Sequence, residues 1–261
     1  MKTRILQKFK IFLLIALPVT SIFAGNMGSS PYTPPNRAYG AIDWFVNRTK
    51  IGAPTGEESV VVTNIFRGQF GYAYARRDAI YLFGRGSWGG GGGYRIVNNT
   101  NMNLSSIPWY LEARGGYQFG FGRDKALGFT PYTGYFLMGQ KTKIKNPAIP
   151  GDWETAQQQS LLAGGLVDYI INPEFRVGVL VEALINLSGN TKSGGDIIIS
   201  EKVNINNGVN WLGELPITWM VKPNLDLTLV PSYVWVKSNL TNGAFAVEHN
   251  HGIRLEVGFR F

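Results

Sequence analysis

Two histidines stand two residues apart near the end of the chain, in Glu248-His249-Asn250-His251. On an extended segment this spacing points both rings to one side and Glu248 to the other. His-x-His supplies half of a metal site, and no third ligand can be read nearby. A hydrolytic centre would need Ser238 and Glu248 brought to His249 by loop folding, so an exposed structural pair is the plainer reading. The chain has no cysteine, which removes thiolate metal sites, disulfides and lipid attachment at a cysteine. Trp88 precedes five glycines, Gly89 to Gly93, but no Gly-Lys-Ser/Thr follows, so a phosphate-cradling loop is not indicated. The run reads as a flexible external loop. No cofactor is expected.

The other ionisable residues alternate with apolar ones. Trp109, Leu111, Ala113, Tyr117 and Phe119 share one face of an extended segment, and Glu112, Arg114 and Gln118 share the other. Leu225, Leu227, Leu229, Tyr233 and Trp235 likewise oppose Asp226, Thr228 and Ser232, while Phe175, Val177, Val179, Val181 and Ile185 oppose Arg176 and Glu182. Period-2 alternation is the mark of a strand with one apolar and one polar face. The polar faces collect Arg67, Arg85, Glu112, Arg114, Asp168, Arg176, Glu182, Glu214, Arg254 and Glu256. Charges of both signs on one enclosed face must pair, either as a plug or as the lining of a thin pore. Gly71, Gly116, Gly164 and Gly178 fall on the same faces and make room for bulky neighbours such as Tyr110 and Phe83 or for water. Lys141, Lys143 and Lys145 alternate near one strand tip and are candidate contacts for phosphate.

Ten such strands can be drawn: 39–48, 60–75, 79–87, 108–121, 127–141, 157–170, 175–187, 209–221, 225–237 and 249–261. Their connections alternate between short turns (76–78, 122–125, 171–174, 222–224) and long polar stretches (49–59, 88–107, 142–156, 188–208, 238–248). Short turns on one side and long loops on the other make an antiparallel up-and-down barrel. Eight or twelve strands also fit, since 39–48 is weakly patterned and 196–204 would serve as an extra hairpin or as extensions of its neighbours.

At the start, Lys2, Arg4, Lys8 and Lys10 precede the apolar run 11–23, followed by small residues and then Pro31, Pro34 and Pro35. This predicts a secretory signal over 1–24 and a Pro-rich periplasmic leader over 25–38 before a barrel over 39–261. Without the four signal cations, 21 basic residues face 17 acidic ones, a net +4 rather than +8. The remaining basic residues are dispersed along strands, so no nucleic-acid partner is expected. The closing strand alternates from Gly252 to Phe261 and ends on an aromatic residue. Together with the signal, it resembles the closing strand of bacterial outer-membrane β-barrels. The resemblance implies an outer-membrane location, insertion by the barrel assembly machinery through the strand ending in Phe261, and contact with lipopolysaccharide.

Within that superfamily no single family is selected. The omptin proteases use an aspartate pair and an Asp/His pair at the outer mouth, and this chain has neither Asp-x-Asp nor Asp-x-His there. The lipid A deacylases use a His and a Ser with a carboxylate, and neither histidine here is followed by such a Ser. Three functions are therefore carried forward: first a non-enzymatic surface barrel whose long loops meet lipopolysaccharide or host and partner surfaces, then a narrow passive channel for small solutes, and last a lipid- or peptide-modifying enzyme centred on His249 and His251.

Overall fold

The computed structural model describes residues 36–52, 58–97, 100–145, 153–194, 201–206, 208–240 and 245–261. The expected signal and most of the leader lie outside the described residues. Strands run β1 (Asn36–Gly52), β2 (Glu58–Tyr74), β3 (Ala79–Val97), β4 (Thr100–Phe121), β5 (Leu127–Lys145), β6 (Trp153–Ile170), β7 (Phe175–Gly194), β8 (Glu201–Asn206), β9 (Val209–Glu214), β10 (Ile217–Lys222), β11 (Leu225–Leu240) and β12 (Phe245–Arg260). Staves adjacent around the sheet pair antiparallel, and β1 closes it on β12. Segments β8, β9 and β10 all lie between β7 and β11, so they form one broken stave and the barrel has ten. The break between β9 and β10 falls at Pro216, which has no N–H to give to a ladder; its carbonyl instead accepts from Gly178 N–H at 2.8 Å.

Register fixes the shape. A hydrogen-bonded row leaves β1 at Asn36 and passes through Tyr74, Leu82, Gly115, Thr133, Ala163, Ala183, Trp211, Trp235 and His249. It rejoins β1 at Arg48, twelve residues farther along. Ten staves with this stagger tilt by about 40°, so each residue climbs the barrel axis by about 2.5 Å.

On that scale the outward run from Leu225 to Trp235 on β11 rises about 25 Å, the height of a transmembrane barrel's apolar band. Its surface is exposed Leu, Ile, Val and Phe, with Leu255, Leu111, Val181 and Ile42 each at least half exposed. Such a continuous belt is unfavourable in water and requires hydrocarbon around it. Trp44, Trp88, Trp211 and Tyr233 cap the belt at the loop end, and Tyr117, Tyr169, Trp219 and Phe259 cap it at the turn end, giving the two aromatic girdles of a membrane barrel.

The strands outrun their expected limits. β3 and β4 include most of 88–107, and the glycine run is strand rather than flexible loop. Gly89, Gly91 and Gly93 face inward, and a Cβ on any of them would run into the carbonyl oxygens of Phe66, Asn64 and Val62 on β2. Glycine is what lets the two strands stay paired at this closeness. Residues 201–206 extend the eighth stave by pairing with the tips of β7 and β11, and β1 begins at Asn36 rather than Tyr39.

Candidate functional site: the charged lumen and the outer wall

Alternation along tilted strands sends one side chain in two into a narrow lumen, where charges find partners across the barrel as well as beside them. Arg85 on β3 donates to Glu112 at 2.6 Å and to Glu214, on the opposite side of the barrel, at 3.2 Å. Arg114 binds Glu112 and reaches Glu182 on β7 at 3.1 Å. Arg254 grips Glu214 with both terminal nitrogens at 2.9 and 3.1 Å and Glu256 through Nε at 2.8 Å. Arg37 then links Glu256 to Asp226, each at 2.7 Å, and Asp226 accepts from Arg260 at 2.7 Å. Five arginines and five carboxylates thus make one electrically neutral chain across the lumen. A second cluster holds Asp168 between Arg77 and Arg176, at 2.9 and 2.8 Å.

Aromatic faces close the remaining gaps. Arg114 lies over Phe83 and Tyr132, with centroids 4.8 and 4.9 Å away, and Arg67 over Phe45 and Tyr110 at 4.2 and 4.9 Å. Stacking of this kind suits the weakly hydrated guanidinium group. Gly71 leaves the space that the Tyr39 ring fills, so here the lumenal glycine serves packing.

Two cavities flank the chain of charges. The outer one, about 360 Å³, rises from Asp43, Arg67 and Tyr110 to Ile51, Ala246 and Thr191 near the strand tips. The inner one, about 150 Å³, reaches toward the short turns beside Arg37, Asp168 and Arg260. Glu214 and Arg254 line both. Among the described residues no other lines both, so this ion pair lies between the two cavities.

All ten charged residues read from the sequence as inward lie on the lumen, and nine belong to the chain or to the Asp168 cluster. Arg67 stands apart, donating from Nε to Asp43 at 3.0 Å. Sequence reading missed Arg37, Asp43, Arg77 and Arg260. Arg37 sat in the supposed leader, Arg77 in a turn, and Asp43 in the weakest strand, yet Asp43, Phe45 and Asn47 alternate with Ile42, Trp44 and Val46, a signal that was available.

The histidines are on the outer wall. Tyr233 hydroxyl and His249 Nδ1 are 2.7 Å apart, and Tyr233 and His251 have ring centroids 5.0 Å apart. Trp211, Trp235, His249 and Arg48 share one row, at the upper edge of the belt. Glu248 faces the lumen instead, so the three do not converge. Lys141 and Lys143 are exposed on the same outer wall, while Lys145 pairs through its backbone with Asn103 and its side chain lies outside the described residues. The polar collar above the girdle also includes Arg48, Lys192 and Lys237, all exposed. Among the side chains described, strand carboxylates face inward except Glu58, which is 2.8 Å from Lys50.

With this geometry in hand, the solved structures give the comparison. The outer-membrane protease OmpT from Escherichia coli superposes with a TM-score of 0.67 at 10% identity, covering 91% of this chain and 99% of that one. This is the fold of the bacterial outer-membrane β-barrels. The translocator domain of the autotransporter NalP from Neisseria meningitidis is also similar, with a TM-score of 0.52 at 14% identity, covering 98% and 97% of the two chains. No protein-family model and no curated protein matches. One of these neighbours is a protease and the other part of an autotransporter. At such identities the likeness carries the fold and not the chemistry.

Proposed function

We propose that the protein is a plugged, non-enzymatic surface barrel that works at the outer face of the membrane, where its cationic collar engages phosphates of lipopolysaccharide. The observation that carries the reading is the neutral chain of ion pairs across the lumen, tied over the full width by Arg85 and Glu214. A barrel of ten staves is near the size that side chains alone can fill, and mutually paired buried charges hold their places because separating them leaves an uncompensated charge. The exterior supports the second half of the reading. Lys141, Lys143, Arg48 and Lys237 stand just above the upper girdle, with carboxylates turned away from them into the lumen. Each cation near an anionic lipid surface contributes about 1 kcal/mol. The histidines, packed against Tyr233 at the girdle with tilted rings, serve as interfacial side chains rather than as a base beside a nucleophile.

Charge reversal at Lys141, Lys143 and Lys145 together is expected to lower the affinity of the folded barrel for lipopolysaccharide at least tenfold, measured by surface plasmon resonance at fixed salt. Unchanged affinity would remove the collar from the account. A second reading, a narrow passive channel, is favoured by one feature: Glu214 and Arg254 line both cavities.

A further inference from the structure

The outer cavity carries ionic and hydrogen-bonding capacity that the plug does not use. Along its lining, Asp43, Glu112, Glu182, Glu214, Arg67, Arg85 and Arg254 are all in ion pairs, whereas Arg95, Glu154 and Glu248 are in none among the described residues. Arg95 and Glu154 stand near the strand tips, and Glu248 is held in place by two amides. Its carboxylate accepts from Asn47 at 2.9 Å and from Asn250 at 2.6 Å, and among the described residues it has no cation. The Asn47 amide is in turn held by Thr49, whose hydroxyl donates to Asn47 Oδ1 at 2.8 Å. Asn250, Asn47 and Thr63 follow one another across β12, β1 and β2 in a single row. Within it Asn250 Oδ1 and Thr63 Oγ1 are shielded from solvent and have no hydrogen-bond partner, Thr63 being only 2% exposed. Both residues line the cavity with Glu248.

This patch presents three acceptors: a carboxylate without a counter-charge, an amide oxygen and a hydroxyl oxygen. A primary ammonium has one positive charge and three N–H donors. The remaining wall is mixed: Leu104, Phe136, Met138 and Val234 supply apolar surface between Gln140, Thr142, Gln158 and Arg95, and about 360 Å³ is at the small end of ligand cavities. We propose that the outer cavity binds a small primary amine with an apolar body, its ammonium donating to Glu248, Asn250 Oδ1 and Thr63 Oγ1 and its body lying against Leu104, Phe136 and Met138. A quaternary ammonium has the charge without the donors, and an alcohol has a donor without the charge. The site is independent of the lipopolysaccharide collar, which lies on the other side of the wall.

The test uses the folded barrel in nanodiscs of zwitterionic lipid, with benzylamine as the probe and benzyltrimethylammonium and benzyl alcohol as controls, read by amide NMR shifts. Benzylamine is expected to shift Thr63, Asn250 and Glu248 saturably, with both controls at least tenfold weaker. Glu248→Gln is expected to weaken benzylamine at least tenfold, and Thr63→Val about threefold with the rest of the spectrum unchanged. Benzyltrimethylammonium or the alcohol binding as well as benzylamine, or a wild-type barrel that shows no saturable shift at these residues, overturns the proposal. If Glu248→Gln does not fold, Thr63→Val decides it: unchanged benzylamine affinity counts against the site and weakened affinity supports it.

Discussion

Replacing Glu214 and Arg254 by alanine, singly and together, probes the septum between the two cavities. Glu214 is 8% exposed and binds Arg254 twice and Arg85 once. Removing one partner of a buried pair costs about 3–5 kcal/mol. After Glu214→Ala, however, Arg254 keeps Glu256 at 2.8 Å and Arg85 keeps Glu112 at 2.6 Å. Neither guanidinium is stranded, which places the loss near the lower end, about 3 kcal/mol. Arg254→Ala leaves Glu214 with Arg85 and Glu256 with Arg37, and the same reasoning gives about 3 kcal/mol. The double variant restores neutrality and keeps Arg85–Glu112 and Arg37–Glu256. Its total should be about 4 kcal/mol, a coupling of about 2 kcal/mol between neighbours in one network. Reversible urea unfolding in phospholipid vesicles, followed by tryptophan fluorescence, measures all three losses provided the slope with urea is unchanged. Single losses that add to within about 0.5 kcal/mol in the double variant would refute a coupled septum.

The remaining expectations concern the belt and the turns. Leu255 lies on the outer face at mid-height, paired in register with Leu229 and Ile42; Leu255→Arg should destabilise the folded barrel by about 2–4 kcal/mol, and Val46→Arg, beside the collar, by about 0–1 kcal/mol. Equal losses at both positions would contradict the placement of the belt. In the turn after β2, Asp78 accepts from Lys125 and from Gly120 N–H at 2.9 Å, and the Lys125 contact first, then the Gly120 bond, holds its carboxyl below the ordinary value. Because the folded pKa is depressed, the contribution is present in full above the unfolded value near about 3.9 and is lost as pH falls through the folded one. It should stay under about 1 kcal/mol at so exposed a site; a carboxyl titration by NMR at or above the ordinary range would contradict the pairing.

Period-2 patterning made the staves and their faces legible. Glu112 and Arg114 alternate with Leu111 and Ala113, and the turns at 76–78 and 222–224 carry their own turn formers, so inward and outward residues followed directly. Which charges meet was not legible. Arg85 and Glu214 are 129 positions apart and are joined only because a twelve-residue stagger brings β3 and β9 to one level, a quantity that no local window contains. The glycine run misled for a related reason. Glycine reads locally as a break in a strand, whereas Gly89, Gly91 and Gly93 answer to the carbonyls of the neighbouring β2, which appear only once the pairing is known. Arg37 escaped because prolines shortly before it read as a linker, and a strand's first residues carry little alternation of their own.

Single-channel conductance of the folded barrel in a planar bilayer tests the central claim most directly. The wild-type barrel is expected to be silent, and the Glu214→Ala, Arg254→Ala double variant to show reproducible conductance steps as the two cavities join. Steps in the wild type that persist unchanged in the double variant would mean that the ion-pair chain does not close the lumen.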